Sequence, residues 1–213
     1  MNYVYYRLGK LEFERISQSH LPNSSQRINL TGMENPRPPT ASTSDVFDIP
    51  AVSADVPDWS RERKGRFEWA PSRSLLASIR HYQRLANSRG VFAGWLRRFT
   101  VLRHRMWTVV TGADIPLNCK LGGGLLLPHP NGIVIHPDAE IGPNCLLFQQ
   151  VTIGEAAGGV PSLEGHVDVG AGAKIIGRLT VGKHAKIGAN AVVLEDVPAG
   201  ATAVGIPARI VRR

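Results

Sequence analysis

The run Leu163-Glu164-Gly165-His166-Val167-Asp168-Val169-Gly170-Ala171-Gly172-Ala173-Lys174-Ile175-Ile176-Gly177-Arg178-Leu179-Thr180-Val181-Gly182-Lys183-His184-Ala185-Lys186-Ile187-Gly188 carries an aliphatic residue every sixth place. Read outward in both directions, the same phase takes in Ile115, Leu121, Leu127, Ile135, Ile141, Leu147, Ile153, Val193 and Ala199. Seven of these positions are followed by Gly, at 122, 142, 154, 170, 182, 188 and 200. Four places after each aliphatic comes a second, mostly small position, and there only Asn131 is polar. A period of six is neither the 3.6 of a helix nor the 2 of an ordinary strand. Three short strands joined by tight turns make one triangular coil of eighteen residues, and stacked coils bury each other's faces. The expected fold is mainly β: a left-handed parallel β-helix of about five coils over residues 109–211.

The rest of the chain differs in kind. Residues 1–70, rich in Ser, Pro, Asn and Thr between Ser17 and Asp58, read as a disordered tail, with an ordered docking arm as the alternative. Met33 is an equally sensible start. Residues 71–108 read as short basic amphipathic helices. One has its stripe at Leu75, Ile79, Tyr82 and Ala86, and the other at Phe92, Trp95, Phe99, Leu102 and Met106. The net charge of +8 is concentrated there: residues 61–105 hold twelve Arg or Lys against Glu62 and Glu68. That charge suits a solvated face, or docking to an acidic partner or an anionic membrane surface. No nucleic-acid motif accompanies it. Two cysteines without metal or redox spacing, and no long apolar run, point to a cytoplasmic protein. Cys119 and Cys145 both fall at the small inward position, so core packing is expected of them.

A perfect prism has no pocket, so breaks in the period mark where chemistry can sit. The step from Leu127 to Ile135 takes eight residues and lifts His129, within Pro128-His129-Pro130-Asn131-Gly132, out of the regular turn. The step from Ile153 to Leu163 takes ten and carries the Gly/Ala-rich Gly154–Pro161 loop. Both breaks are expected near one corner. His129 is a ready general base, and Asp114 is available to orient it. His20, His81, His104, His136, His166 and His184 read as structural or solvated.

These stretches resemble the hexapeptide-repeat acyltransferases, and the serine acetyltransferases in particular. The resemblance rests on Asp114-Ile115, Pro128-His129-Pro130-Asn131-Gly132-Ile133-Val134, Gln150-Val151-Thr152-Ile153-Gly154, Gly170-Ala171-Gly172-Ala173-Lys174-Ile175, Ala185-Lys186-Ile187-Gly188-Ala189 and Gly205-Ile206-Pro207-Ala208-Arg209. It covers about residues 108–211. It implies acetyl transfer from acetyl-CoA, without a metal, to a small-molecule hydroxyl: L-serine, giving O-acetyl-L-serine for cysteine biosynthesis. It also implies His129 as base with Asp114 as its carboxylate, acetyl-CoA held at Gly154, Ala171, Lys186 and Ala189, and a homotrimer or a dimer of trimers with sites between subunits. Two positions depart from the pattern. Pro128 stands where the family places an Asp beside its catalytic His, and Val160 where it places a second His. The alternatives are O-acetylation of a sugar in surface or exopolysaccharide assembly, and a non-catalytic β-helix scaffold. A zinc hydratase on this fold would need three converging histidines, and the sequence offers no such set.

Overall fold

In the computed structural model, residues 52–85, 88 and 90–211 are described. The hexads form a parallel β-solenoid of about five turns. Face one stacks β1 (Lys120–Leu121), β3 (Glu140–Ile141), β6 (Ser162–Leu163) and β9 (Thr180–Val181). Face two stacks β4 (Leu146–Leu147), β7 (Asp168–Val169), β10 (Lys186–Ile187) and β12 (Thr202–Gly205), and β13 (Ala208–Val211) adds antiparallel to β12. Face three stacks β2 (Val134–Ile135), β5 (Thr152–Gly154), β8 (Lys174–Ile176) and β11 (Val192–Val193). The chain visits the faces in the order one, two, three. A regular coil advances eighteen residues, as Asp168↔Lys186 and Lys174↔Val192 do. Lys120↔Glu140 spans twenty because of the His129 turn, and Thr152↔Lys174 spans twenty-two because of the 154–161 loop. Extra residues are thus expelled as loops while the rungs stay in register, which keeps the hexad aliphatics on either side of each loop inside.

The interior follows the hexads. Thirteen of the fourteen positions in the aliphatic phase are buried, and Ala199 is not. The reason lies in the last turn, where Val197 bridges Val181 and Ala203 pairs with Ile187, a coil of sixteen. Ala203 therefore continues the aliphatic ladder, and Ala199 falls in an exposed turn. Of the small second positions, only Asn131 and Ala157 are exposed, both inside the two interruptions, and Ile133 takes the inward place that Asn131 vacates. Cys119 and Cys145 are buried, and burial pushes their thiols up to about 12 and about 11.

Two helices precede the solenoid: α1 (Pro71–Leu85) and α2 (Val91–Thr111). The second runs three residues past the expected boundary and ends at Gly112, whose φ of 66° lets its N–H reach back to the Thr108 carbonyl at 2.8 Å. Ala86, at the end of the first stripe, lies outside the described residues. The second stripe faces outward. Phe92, Trp95, Phe99, Leu102 and Met106 are exposed, whereas Thr100, His104 and Thr111 are buried. Small Ser74 and Ser78 on α1 admit α2 closely, and Ser78 Oγ lies 3.2 Å from His104 Nδ1. Arg97 and Arg103 hydrogen-bond to carbonyls of Leu85 and Ala77. The polar side of α2 therefore makes the helix pair and the apolar side is left outward.

Residues 1–51 of the expected tail lie outside the described residues, but 52–70 contradict it. They form a strap with a single 3-10 turn, Trp59–Glu62, capped by Asp58. Asn144, fully buried at φ 59°, accepts from Asp58 N at 2.8 Å and donates to the carbonyls of Ser53 and Val56 at 2.7 and 2.8 Å. Arg61 Nη1 donates to the Asn144 carbonyl at 2.6 Å. Glu62 accepts from the backbone N–H groups of Gly124 and Leu125 at 2.8 and 3.1 Å and pairs with Arg80 at 2.9 Å. A low-complexity segment needs no core of its own when another element satisfies its backbone.

Candidate functional site

The three corners of the prism are not equivalent. The strap closes the corner between faces one and two: a Cβ on Gly165 would sit 1.6 Å from the Ala54 carbonyl oxygen, and one on Gly123 2.6 Å from the Trp59 ring. His166 and His184 meet edge to face at that corner with their Nδ1 atoms 2.8 Å apart. Burial holds His166 below the usual imidazole range, against the opposing pull of Asp168.

The corner between faces two and three is a column of turns. Pro128–Gly132 is followed upward by Phe148–Gln150, then Gly170–Gly172, then Gly188–Asn190. The ladder between them is Gln150 N to Asn131 O at 2.9 Å, Gly172 N to Gln149 O at 2.9 Å, and Asn190 N to Ala171 O at 2.8 Å. His129, Ala171 and Ala189 therefore share one edge, and the first and last are three rungs, roughly 14 Å, apart. The eight-residue step makes the lowest turn wider than those above, and His129 projects from it into solvent. Asp114 is also exposed and bridges Val134 one rung lower on face three. Among the described residues, neither side chain hydrogen-bonds to the other. The Asp114 charge reaches α2, where it opposes the burial that lowers the His104 pKa. Lys186 stands exposed on face two, beside Asp168 and Thr202, just before this corner. Lys174, absent from the sequence-derived set, crosses face three and donates to Gln150 O at 2.6 Å and Thr152 Oγ1 at 3.0 Å, bracing the column.

The ten-residue loop was expected at this same corner, and the structure puts it elsewhere. It leaves face three on its other side, at the corner with face one, because β5 and β6 belong to those faces. Gly154 lies there, across face three from His129. An added Cβ on it would meet nothing closer than Thr152 Cγ2 at 3.8 Å, so its backbone is open to close approach. The loop walls a cleft of about 340 Å³ with His136, Asp138 and Arg178. His136 Nδ1 receives the Asp138 N–H at 3.2 Å, and its Nε2 stands 3.6 Å from Glu155. The 3.6 Å spacing is an ion-pair distance once the imidazole is protonated, and too long for a hydrogen bond. The sequence offered His136 only as a turn residue; the loop brings Glu155 to it. Among the described residues, no group of three or more His, Cys, Asp or Glu is arranged to hold a metal ion.

No protein-family model matches the chain. It is 41% identical over 109 residues to a serine acetyltransferase of Synechococcus elongatus, covering 49% of this chain and 45% of that protein. The chain spans about half the length of the curated relatives it matches. A serine acetyltransferase solved in complex with CoA superposes with a TM-score of 0.57 at 36% identity, over 67% of this chain and 57% of that one. The soybean serine acetyltransferase apoenzyme, 32% identical with a TM-score of 0.50, is covered over 69% of its chain and 65% of this one. With the repeat, the turn carrying His129 and this coverage together, the chain belongs to the serine acetyltransferase family of hexapeptide-repeat acyltransferases.

Proposed function

We propose that this chain is a cytoplasmic, acetyl-CoA-dependent O-acetyltransferase of the serine acetyltransferase type, converting L-serine to O-acetyl-L-serine for cysteine biosynthesis. The observation that carries the reading is the column between faces two and three, where an exposed His129 stands below the small turns of Ala171 and Ala189. The relatives named for serine acetyltransfer, one of them holding CoA, support it.

His129 takes the acceptor hydroxyl proton as that oxygen attacks the thioester carbonyl. The tetrahedral intermediate collapses with cleavage of the C–S bond, and His129 returns the proton to the departing thiolate. Asp114 orients the imidazole and stabilises its cationic form. A base of this kind contributes on the order of 10²–10⁴ in rate. The cofactor arm fits the edge physically: Ala171 and Ala189 present backbone without bulk there, Gly154 does so across face three, and Lys186 offers an outward ammonium for phosphate groups. Because His129 and the loop cleft occupy opposite edges of face three, one chain does not bring them together. A homotrimer with neighbouring prisms side by side would complete the site between subunits.

A sugar hydroxyl is the second reading. Pro128 beside His129 and Val160 in the loop stand where the family places its Asp and second His, and the cleft instead presents His136, Glu155 and Arg178. Release of CoA thiol, measured with L-serine and then with nucleotide sugars and oligosaccharides, tests the proposal. Saturable turnover of serine that disappears in His129→Ala is the expected result. Turnover of a sugar with indifference to serine would reassign the acceptor, and no turnover with any acceptor would leave the scaffold reading.

A further inference from the structure

We propose that the outward face of α2 docks the protein on an anionic membrane surface, with the helix lying in the plane of the interface. Phe92, Trp95, Phe99, Leu102, Met106 and Val109 follow one another at alternating three- and four-residue steps, so they form a single strip along the helix. Each leaves between 49% and 83% of its surface exposed. The strip runs about 25 Å, at 1.5 Å per residue. Isolated apolar side chains on a surface are ordinary, but a continuous strip of six large ones calls for a covering partner.

Charge chooses the partner. α2 contains no acidic residue. Arg98 and Arg105, seven residues apart, line one flank of the strip and engage no carboxylate among the described residues. Arg103 lines the other flank, its Nη2 on the Ala77 carbonyl at 3.2 Å. Trp69, also exposed, stands against Trp107 on the same helix with ring centroids 5.9 Å apart. Aromatic rings on one side and arginines at its borders are the composition of helices that lie in the headgroup region of a bilayer. No described helix is long and apolar enough to cross a membrane, so the strip can enter only sideways. A second copy of α2 would set arginine flanks against arginine flanks with no acid to offset them. Residues 1–51 carry five basic and five acidic residues, so they offer no charge complement. An anionic lipid surface supplies both the apolar depth and the opposite charge.

The test uses the full chain with vesicles of phosphatidylcholine alone and of phosphatidylcholine with phosphatidylglycerol, followed by flotation and by quenching of Trp fluorescence with brominated lipid. The expected result is binding to the anionic vesicles, weakened by salt and accompanied by quenching. Leu102→Glu is expected to lower partitioning more than tenfold. Arg98→Gln and Arg105→Gln together are expected to lower it roughly 25-fold, at about 1 kcal/mol for each basic residue near the surface. Three results would overturn the proposal: no association with anionic vesicles, equal association with neutral ones, or a Leu102-dependent increase in oligomer mass without lipid binding. The arginine variant leaves the strip intact, so it reports on the membrane even if Leu102→Glu disturbs the helix.

Discussion

At the corner between faces one and two, the glycines meet protein; at the corner between faces two and three, the small residues meet solvent. Gly123 and Gly165 admit Trp59 and the Ala54 carbonyl, and Asn144 fastens the strap with three side-chain hydrogen bonds. Ala171 and Ala189 occupy equivalent turns with no other described segment laid over them, and His129 stands at their foot. Small residues at a solenoid corner thus report close approach, and whether a segment of the chain or a ligand makes that approach depends on what else the corner offers. The strapped corner offers a buried amide beneath the His166–His184 pair, and the open one offers His129 with no such amide beside it among the described residues.

The largest effect is expected at the open corner. His129→Ala should lower acetyl transfer by on the order of 10²–10⁴ and leave the urea midpoint unchanged, since the side chain is exposed and its ring makes no hydrogen bond among the described residues. A sharper form mixes subunits. If His129 of one chain works with Arg178 in the loop cleft of its neighbour, His129→Ala and Arg178→Ala should each be inactive alone, and unfolding and refolding the two together should regenerate activity. Mixtures as inactive as their parents would place the whole site within one chain.

The strapped corner should answer in stability. Asn144→Ala leaves the Asp58 N–H and the Ser53 and Val56 carbonyls without their buried partner, and it sets a Cβ-bearing residue without a side-chain amide at positive φ. At about 1 kcal/mol for each hydrogen bond, the loss is roughly 3 kcal/mol, read from urea unfolding and from faster tryptic cleavage between Arg61 and Lys64. A variant as stable and as protease-resistant as the parent would mean that the strap is not held through Asn144.

A bulkier side chain on the open column should act on binding alone. Ala171→Leu places a branched chain where the cofactor arm is proposed to pass, and a tenfold rise in KM for acetyl-CoA, about 1.4 kcal/mol, is expected, with the KM for the acceptor little changed. If both KM values stay at the parent level, the cofactor does not follow this edge.

How much of this was legible in the sequence follows from how local each signal is. The hexad repeats within eighteen residues, and its interior positions can be named from the chain alone. The two interruptions stand out for the same reason, and so does His129. The strap leaves no such trace: it is held by a buried amide more than eighty residues away and by Glu62 on the N–H groups of Gly124 and Leu125, contacts that read main-chain groups every sequence has. The facing of α2 was equally hidden. An apolar stripe fixes which residues share a side, but it does not fix which side finds a partner. Here Ser74 and Ser78 on α1 decided the matter in favour of the polar one. The shared-corner expectation failed because residue numbering does not say on which face a coil begins, and the first pairing, Asp114 with Val134, sets that origin.

His104 joins the helix pair to the column, and it should show as a slope in stability with pH. Burial beside Ser78 lowers its pKa, while the Asp114 charge and the Ile115 carbonyl oppose that shift. A histidine whose folded pKa is depressed binds fewer protons in the native state than in the unfolded chain. Stability therefore falls as pH drops below the ordinary imidazole value of about 6.5. The urea midpoint should be flat from pH 8 to 7 and decline toward pH 5.5. His166, also depressed by burial, adds to the decline from the strapped corner. His104→Gln keeps a polar group beside Ser78 and removes the charge change, and His166→Gln does the same at the other corner. Each should flatten part of the slope, and the double variant most of it. If His104→Gln leaves the full slope in place, the helix pair does not feel this proton, and the coupling between α2 and the column rests on packing alone.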